Sequence, residues 1–559
     1  MQTELSQFIW SARYRDAGDR SIDDTRARVA RAIAGVEKEH SDKWEAAFLA
    51  ALENFRFLPG GRILAGAGTG RDVTLANCFV MGAIEDSVEG IFNALKEGAV
   101  TMQWGGGVGY DFSSLRPAGC RAAKTGATAS GPVSFMRVWD TMCATMLSTG
   151  ARRGAMMATM RCDHPNIEAF IDAKQEAGTL SHFNLSVLIS DKFMQAVAND
   201  KDWLLEFADI THRIRARSLW EKLLASAYAT AEPGVLFIDE INRQNNLYYR
   251  EWLSSTNPCG EVPLPAYGAC TLGSLNLTQF VREPFSTAAI VDMTEVERVT
   301  TLAVRFLDNA IDASRYPLEK QAAQARATRR IGLGVTGLAD TLFMLGLRYD
   351  DADGRTQAAD LLQTISQTAY RASIELAIAR GSFPAFQSEL YLKSGFVQRL
   401  PAELRRQIAR HGIRNSHLIA IAPAGTISLL ANNVSSGIEP VYAAECERRI
   451  RDSHGEEQVF QVSDFSCDAW QRLHPGIDLP ESFCDTKTVS ARAQIEMQAA
   501  LQAFVDNAIS KTITVAENCS PDEFADIYTR AHAAGLKGCT VFRPNPVRGH
   551  VLSETTGLH

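Results

Sequence analysis

The chain has 559 residues, 46% of them hydrophobic and 22% charged, with a formal net charge of −8. That length exceeds one simple core and predicts a large α/β domain with a smaller appendage. The acidic balance argues against long nucleic acid as a partner, no apolar run is long enough to span a bilayer, and Met1-Gln-Thr-Glu-Leu5 lacks the order of a secretory signal.

The first 58 or so residues are predicted helical, with amphipathic runs beginning at Asp23 and Trp44. Leu58-Pro-Gly-Gly-Arg-Ile-Leu-Ala-Gly-Ala-Gly-Thr69 is predicted to be a Gly-rich connector. From there to about residue 545, short apolar runs alternate with helical patterns. Gly234–Asp239, Ser416–Ala422 and Cys539–Phe542 are the strand-like runs; Thr300–Ala313 and Asp360–Arg380 are the helical ones. The alternation predicts parallel strands joined by crossover helices. Trp104-Gly-Gly-Gly-Val-Gly-Tyr110 fails as a dinucleotide fingerprint, because Tyr110 stands where the last glycine is needed; close backbone packing is the simpler account.

Asn257-Pro-Cys-Gly-Glu261 puts an amide, a thiol and a carboxylate at alternate positions. In extended backbone, alternate side chains point the same way, so Asn257, Cys259 and Glu261 are expected on one side. A second thiol, Cys270, follows, and a third, Cys78, lies far upstream. Each fits a buried core cysteine equally well when taken alone. Together the three match chemistry that uses one thiol as a reagent and two as a reductant. Ala422-Pro-Ala-Gly-Thr-Ile-Ser428 follows a β-like run, and its amides with the Thr426 and Ser428 hydroxyls suit an anion; the alternative is a plain N-cap by either hydroxyl.

Residues about 446 to 490 are more polar and are expected to be irregular, as an insertion would be. Within them Asp452-Ser-His-Gly-Glu-Glu457 has glutamate where a cobalamin-binding Asp-x-His-x-x-Gly motif needs glycine, so it is expected to be surface loop. Asn545–His559 is expected to be a loose tail, and Val547-Arg-Gly-His550 in it has the wrong order for a glycyl-radical loop. The 11 cysteines are odd in number, with no Cys-x-x-Cys among them. That excludes a zinc ribbon and a secreted disulfide scaffold, and a reducing, cytoplasmic compartment is expected. No metal ligand set is expected.

These residues resemble the catalytic subunit of ribonucleotide reductase, most closely the adenosylcobalamin-dependent class II. The resemblance runs through Ala76-Asn-Cys-Phe-Val80, Gly105–Gly109, Arg152-Arg-Gly-Ala155, Asp163–Ile167, Asn257–Glu261, Leu264–Leu277, Gly332–Asp340, Pro423–Ser428, Ser436–Pro440 and Gly538–Pro544, in that order. It implies a ten-stranded α/β barrel of two parallel five-stranded halves, with an N-terminal helical region over 1–58, a barrel over 59–545 and a short tail over 546–559. It also implies a thiyl radical on Cys259, formed with adenosylcobalamin, that takes the 3′ hydrogen of a ribonucleotide. Glu261 is then the general base on the 3′-OH, Asn257 holds the ribose hydroxyls, and Cys78 with Cys270 supplies two electrons by closing to a disulfide. Asn77, Pro423, Ala424, Gly425, Thr426, Ile427 and Ser428 are the implied substrate contacts. Asp86 and Ser87 are the implied contacts of a nucleoside triphosphate effector, and a homodimer is implied.

Three departures from the family bear on class. Thr540-Val-Phe-Arg543 lacks the tyrosine pair through which class I subunits relay a radical, which favours a cofactor bound on this chain. The chain stops at His559 without the usual cysteine pair, so the expected reductant is a thioredoxin-like protein, or a separate chain carrying that pair, or the tail was removed. Too few residues precede the connector for an ATP-cone domain. A class I large subunit with a radical-generating partner is the near alternative, and a non-catalytic nucleotide-binding regulator the remote one. Diphosphate substrates are expected.

Overall fold

The computed structural model describes residues 2–121, 126–146, 154–451, 457–544 and 552–554. Arg152, the Asp452 loop up to residue 456, and Val547–His550 lie outside these residues.

The N-terminal helical pattern forms three helices: α1 (Glu4–Arg13), α2 (Ile22–Ala34) and α3 (Ser41–Leu52). Helix α2 starts with a capping box, Ser21 with Asp24, and carries Arg31 in its last turn, so both termini oppose the helix dipole. Its buried face, Val29, Ala30, Ile33 and Ala34, joins Phe48, Ala51 and Leu52 of α3 in the main core. The helices are tied to the rest of the chain by Glu37, which accepts hydrogen bonds from Arg305 at 2.7 Å, from Asn309 at 2.9 Å and from Arg380. Burial alone would raise the pKa of Glu37, but these donors hold it down at about 2.

The expected connector after Leu58 is not a loop. Phe57–Pro59 is a short strand and Gly61–Gly66 a helix, because only Gly60 interrupts regular structure before the helix that holds Arg-Ile-Leu-Ala.

Beyond it, five strands run parallel in chain order: β1 (Cys78–Val80), β2 (Gly107–Asp111), β3 (Met156–Arg161), β4 (Phe183–Ile189) and β5 (Gly234–Phe237). The second half holds β6 (Ala269–Asn276), β7 (Ile331–Thr336), β8 (Thr512–Thr514) and β9 (Gly538–Phe542), with β6 parallel to β7 and β8 parallel to β9. The halves meet antiparallel at both seams, β1 on β6 and β5 on β9. All eight residues of β6 and all six of β7 are buried, as expected of strands covered on both faces.

Together with Phe57–Pro59, which pairs with β6, these make a ten-stranded sheet. No continuous ladder closes it among the described residues. Between β7 and β8 the pairing is carried by two single parallel bridges, Leu333 with Ile419 and Ile421 with Ile509. The reason is local: the Leu418 and Ile419 amides donate to the buried Asp506 carboxylate, both at 2.8 Å, where a ladder would otherwise run.

The polar stretch after 445 is also more regular than its composition suggests. Glu445–Arg451 and Glu457–Ser463 form an antiparallel hairpin, followed by the helix Phe465–Leu473. Phe460 and Val462 pack on a small core that includes Leu5, Ile9 and Leu430, while the other face takes solvent. Phe460 and Val462 alternate with the solvent-facing Val459, Gln461 and Ser463, a period of two that the neighbouring charges hide.

Candidate active site

Ser255–Thr256 pairs antiparallel with Pro263–Leu264, so Asn257–Val262 is the tip of a hairpin whose stem packs against β1, β2 and β3. The expected extended run is not what forms: the Gly260 amide donates to the Asn257 carbonyl at 3.1 Å, closing a turn, and Gly260 has φ +84°. Asn257 and Glu261 therefore tuck under the turn, both buried, and Cys259 stands exposed at its apex. The glycines of β2 make room for this. A Cβ on Gly107 would lie 3.1 Å from Cγ of Pro258, and one on Gly109 1.8 Å from the Thr256 carbonyl.

The stem is held by one buried cation. Arg330 donates to the Pro263 carbonyl at 2.9 Å, pairs with Glu251 on the segment that leads into the other leg, and its Nε donates to Nδ1 of His417 at 3.1 Å. Burial, and then the charges of Arg330 and Lys537, push the His417 pKa well down, so its ring stays neutral.

Cys78 lies directly opposite Cys270 in the β1–β6 seam. Facing Cα atoms of an antiparallel pair are about 4.5–5.5 Å apart, inside the span of a disulfide. Asn257 Nδ2 donates to the Cys78 sulfur at 3.1 Å, and the Cys78 thiol donates to Glu261 Oε1 at 3.7 Å. Val262, Leu264, Leu272 and Ala420 pack around the two sulfurs. Burial, and next the Glu261 charge, push the Cys78 thiol far up; burial does the same for Cys270 despite Arg330. Cys259 is raised by enclosure and by Glu261, for its exposure is to an internal cavity rather than to bulk water. Burial also lifts Glu261 to about 7, against smaller opposing hydrogen bonds from Asn257, its own backbone amide and Cys78.

Two cavities meet at this apex. One, of about 310 Å³, is lined by Asn77, Cys78, Asn257, Cys259, Glu261, Arg62, Tyr14 and Ala422–Ile427. The other, of about 330 Å³, is lined by Asn184, Ser186, Gly234, Ser510, Gly538 and Thr540. Pro258, Cys259 and Pro423 border both.

In the first cavity the Asn77 Oδ1 and the Glu261 Oε2 are buried without a hydrogen-bond partner. The helix Gly425–Leu430 opens there, with Ala424 at its N-cap and no side chain capping it. Thus Pro423, Ala424, Gly425, Thr426 and Ile427 face the cavity. Ser428 does not line it, and its hydroxyl donates back to the Gly425 carbonyl at 2.9 Å.

Asp86 and Ser87 line neither cavity. Asp86 pairs with Arg116 at 2.8 Å, and Ser87 caps the helix Val88–Gln103. Among the described residues there is no cluster of three or more side chains able to hold a metal ion, and no helix long and apolar enough to cross a membrane. The sequence reading missed Arg330, Asn184, Arg62 and Tyr14. Asn184 alone left a signal, as a carboxamide inside the apolar run Phe183-Asn-Leu-Ser-Val-Leu-Ile189.

Two family models match, "Ribonucleotide reductase, all-alpha domain" over residues 1–72 and "Ribonucleotide reductase, barrel domain" over residues 76–542. The chain belongs to the ribonucleotide reductase family. It is 38% identical over 552 residues to a "Vitamin B12-dependent ribonucleoside-diphosphate reductase" of Mycobacterium tuberculosis, covering 94% of this chain and 76% of that one. A protein of the same name from Thermoplasma acidophilum is 33% identical, over 91% of this chain and 66% of its own length. The "Ribonucleoside-diphosphate reductase large subunit" of vaccinia virus is 28% identical, over 71% and 56%.

Proposed function

We propose that this chain reduces ribonucleoside diphosphates to 2′-deoxyribonucleotides for DNA synthesis, as a class II enzyme. The observation that carries the reading is the pairing of Cys78 with Cys270 beneath Glu261 and Asn257, in a cavity that opens onto Cys259. The names of the relatives that cover most of this chain support the class.

The 3′ hydrogen of the ribose passes to the Cys259 sulfur and Glu261 takes the 3′-OH proton. The 2′-OH leaves as water with a thiol proton, which the raised Cys78 and Cys270 still carry at neutral pH. These two thiols give up two electrons and close to a disulfide, and Cys259 returns its hydrogen to C3′. One C–O bond is exchanged for C–H, two thiols become a disulfide, and one water leaves. The uncapped amides at 425–427 suit the substrate phosphates. Asn77 Oδ1 and the free oxygen of Glu261 suit hydroxyl donors.

The second cavity fits the cofactor that this reading needs. It reaches Cys259 from the other side, and its wall is a cradle that side chains would fill: a Cβ on Gly234 would stand 2.8 Å from Thr540 Oγ1. Gly234, Gly538, Ser510 and Thr540 are the residues that would hold an adenosyl group. When bound, adenosylcobalamin supplies the unpaired electron that makes Cys259 a hydrogen acceptor. A homodimer, a triphosphate effector at Asp86 and Ser87, a thioredoxin-type reductant and a cytoplasmic setting complete the proposal.

The test is turnover of a ribonucleoside diphosphate with a dithiol, adenosylcobalamin added or omitted. Deoxynucleotide is expected only with the cofactor and without any second subunit. Activity that demands a second, metal-containing chain overturns the class.

A pH profile gives an independent check. Glu261 acts as base only when ionised, and its pKa is about 7. So kcat/KM is expected to rise through neutrality and to lie about tenfold lower at one unit below that pKa. The stability sign is opposite. Burial favours the protonated form, so stability held below the ordinary carboxylate range is lost as pH rises through about 7. A kcat/KM that is flat between pH 6 and 8 removes Glu261 as the base.

A further inference from the structure

Two carbonyls of the hairpin tip are fastened to the surrounding sheet. The Ala508 amide donates to the Glu261 carbonyl at 2.9 Å, from the second half of the barrel. From the first half, Asn184 Nδ2 donates to the Pro258 carbonyl at 2.8 Å. That second bond holds the peptide group immediately before Cys259. Of the other hydrogen bonds of the tip, those among Asn257, Gly260 and Val262 stay within the loop, and the side chains of Asn257 and Glu261 meet the Cys78 thiol.

Asn184 is the one exposed residue of β4. It sits on β4 between buried Phe183 and Leu185 and faces the second cavity, as Ser186 does two residues on. This peptide group joins the Pro258 carbonyl to the Cys259 amide, and the carbonyl is the end that Asn184 holds. Gly260, at φ +84° with open space where a Cβ would stand, leaves the other side of Cys259 held within the loop, by its amide on the Asn257 carbonyl.

We propose that Asn184 is a positioning residue that fixes where the Cys259 sulfur stands between the two cavities. The inference rests on the reading of Cys259 as the hydrogen-abstracting group. Hydrogen transfer in both directions needs the sulfur within contact distance of the donor atom, and a displacement of about 1 Å costs about 10²-fold in rate. Asn184 touches neither the reacting atoms nor the thiol, so its loss is expected in kcat and not in nucleotide affinity.

Two variants test it. Asn184→Leu removes the donor at nearly constant volume. With adenosylcobalamin and dithiol, kcat is expected to fall about 10²-fold, with KM changed less than about threefold. Asn184→Asp sets an acceptor against the Pro258 carbonyl when ionised, yet a protonated carboxyl can donate to it. The ratio of this variant's kcat to that of the unaltered enzyme at the same pH is therefore expected to rise about tenfold or more from pH 8.5 to 5.5. For Asn184→Leu the ratio stays flat. A role confined to folding would not produce that difference between the two.

A readout without cofactor completes the test. Iodoacetamide alkylation of Cys259, followed by peptide mass spectrometry, is expected to be at least about fivefold faster in Asn184→Leu. A released apex leaves the enclosure that keeps the thiol protonated. If Asn184→Leu does not fold, the pH ratio of Asn184→Asp decides. Unaltered kcat and alkylation in Asn184→Leu, or a pH-flat ratio in Asn184→Asp, overturns the inference while leaving Cys259 its role. Product from Cys259→Ser would instead remove the reading on which the inference rests.

Discussion

Cys259→Ser is expected to form no deoxynucleotide above background while binding ribonucleoside diphosphate as tightly as the unaltered chain. The substitution changes one atom at an apex that is open to two cavities and fixed by backbone contacts rather than by its thiol. The groups proposed to hold substrate, Asn77, Glu261 and the 425–427 amides, are untouched. What is lost is the chemistry. A hydroxyl O–H bond is too strong for the oxygen to take part in reversible exchange with a ribose C–H bond, whereas a thiol S–H bond is close to it in strength.

The electrostatics point the same way. Burial and the Glu261 charge keep the Cys259 thiol protonated at neutral pH, which suits a hydrogen-atom carrier and disfavours a thiolate nucleophile. Product analysis and calorimetric nucleotide binding on the same preparation check both halves of this expectation. Measurable deoxynucleotide from the variant would remove Cys259 from the centre of the reaction.

Much of the helical part of the fold was legible in local patterns. Asp23, Asp24 and Arg31 mark α2 by charge, and the apolar spacing of Thr300–Ala313 marks a helix that in the structure begins earlier, at Met293. The strand run Gly234–Asp239 was equally plain as far as Phe237, because burial on both faces leaves an unbroken apolar stretch; Ile238 and Asp239 open the next helix.

The site was legible in a different way. Periodicity puts Asn257, Cys259 and Glu261 on one side of an extended run, and the turn at Gly260 defeats that argument. The residues still converge, because a turn brings Asn257 and Glu261 together beneath its apex. Nothing in the spacing of Cys78 and Cys270 foretells their apposition, which the family resemblance implied and the β1–β6 register creates.

Arg330 was illegible, and Asn184 left no trace beyond its residue type in an apolar run. Each acts through a carbonyl of a residue distant in sequence, and a carbonyl has no signature in the residue type that carries it. Ser428 shows the converse: a hydroxyl in a promising motif is taken by the nearest carbonyl of its own helix.

Cys270→Ser is expected to abolish sustained turnover with a dithiol, since Cys78 is then left without a sulfur to close upon. The register alone makes this pair competent, and the packing helps. Gly332 on β7 stands behind Cys270, where a Cβ would come to 3.3 Å from its sulfur and closer still to Leu272 and Ala420, so glycine keeps that side from being overfilled. Both thiols are nearly inaccessible, at 4% exposed for Cys78 and 1% for Cys270. Reduction from outside must therefore reach them through the substrate cavity, where Cys78 but not Cys270 forms part of the lining. An incoming thiolate is thus expected to attack the Cys78 sulfur and release Cys270.

Serine at 270 buries a hydroxyl among Val262, Leu264 and Leu272, at a cost of about 1–3 kcal/mol if it finds no partner. Cys270→Ala, which buries no polar group, is the control. Pre-reduced enzyme given substrate and cofactor but no dithiol separates the chemistry from recycling. The unaltered chain is expected to lose one thiol pair per deoxynucleotide formed, and both variants to lose none and form none. Continued product from Cys270→Ala with fresh dithiol would show that the electrons leave by another route, and that the Cys78–Cys270 apposition is packing rather than chemistry.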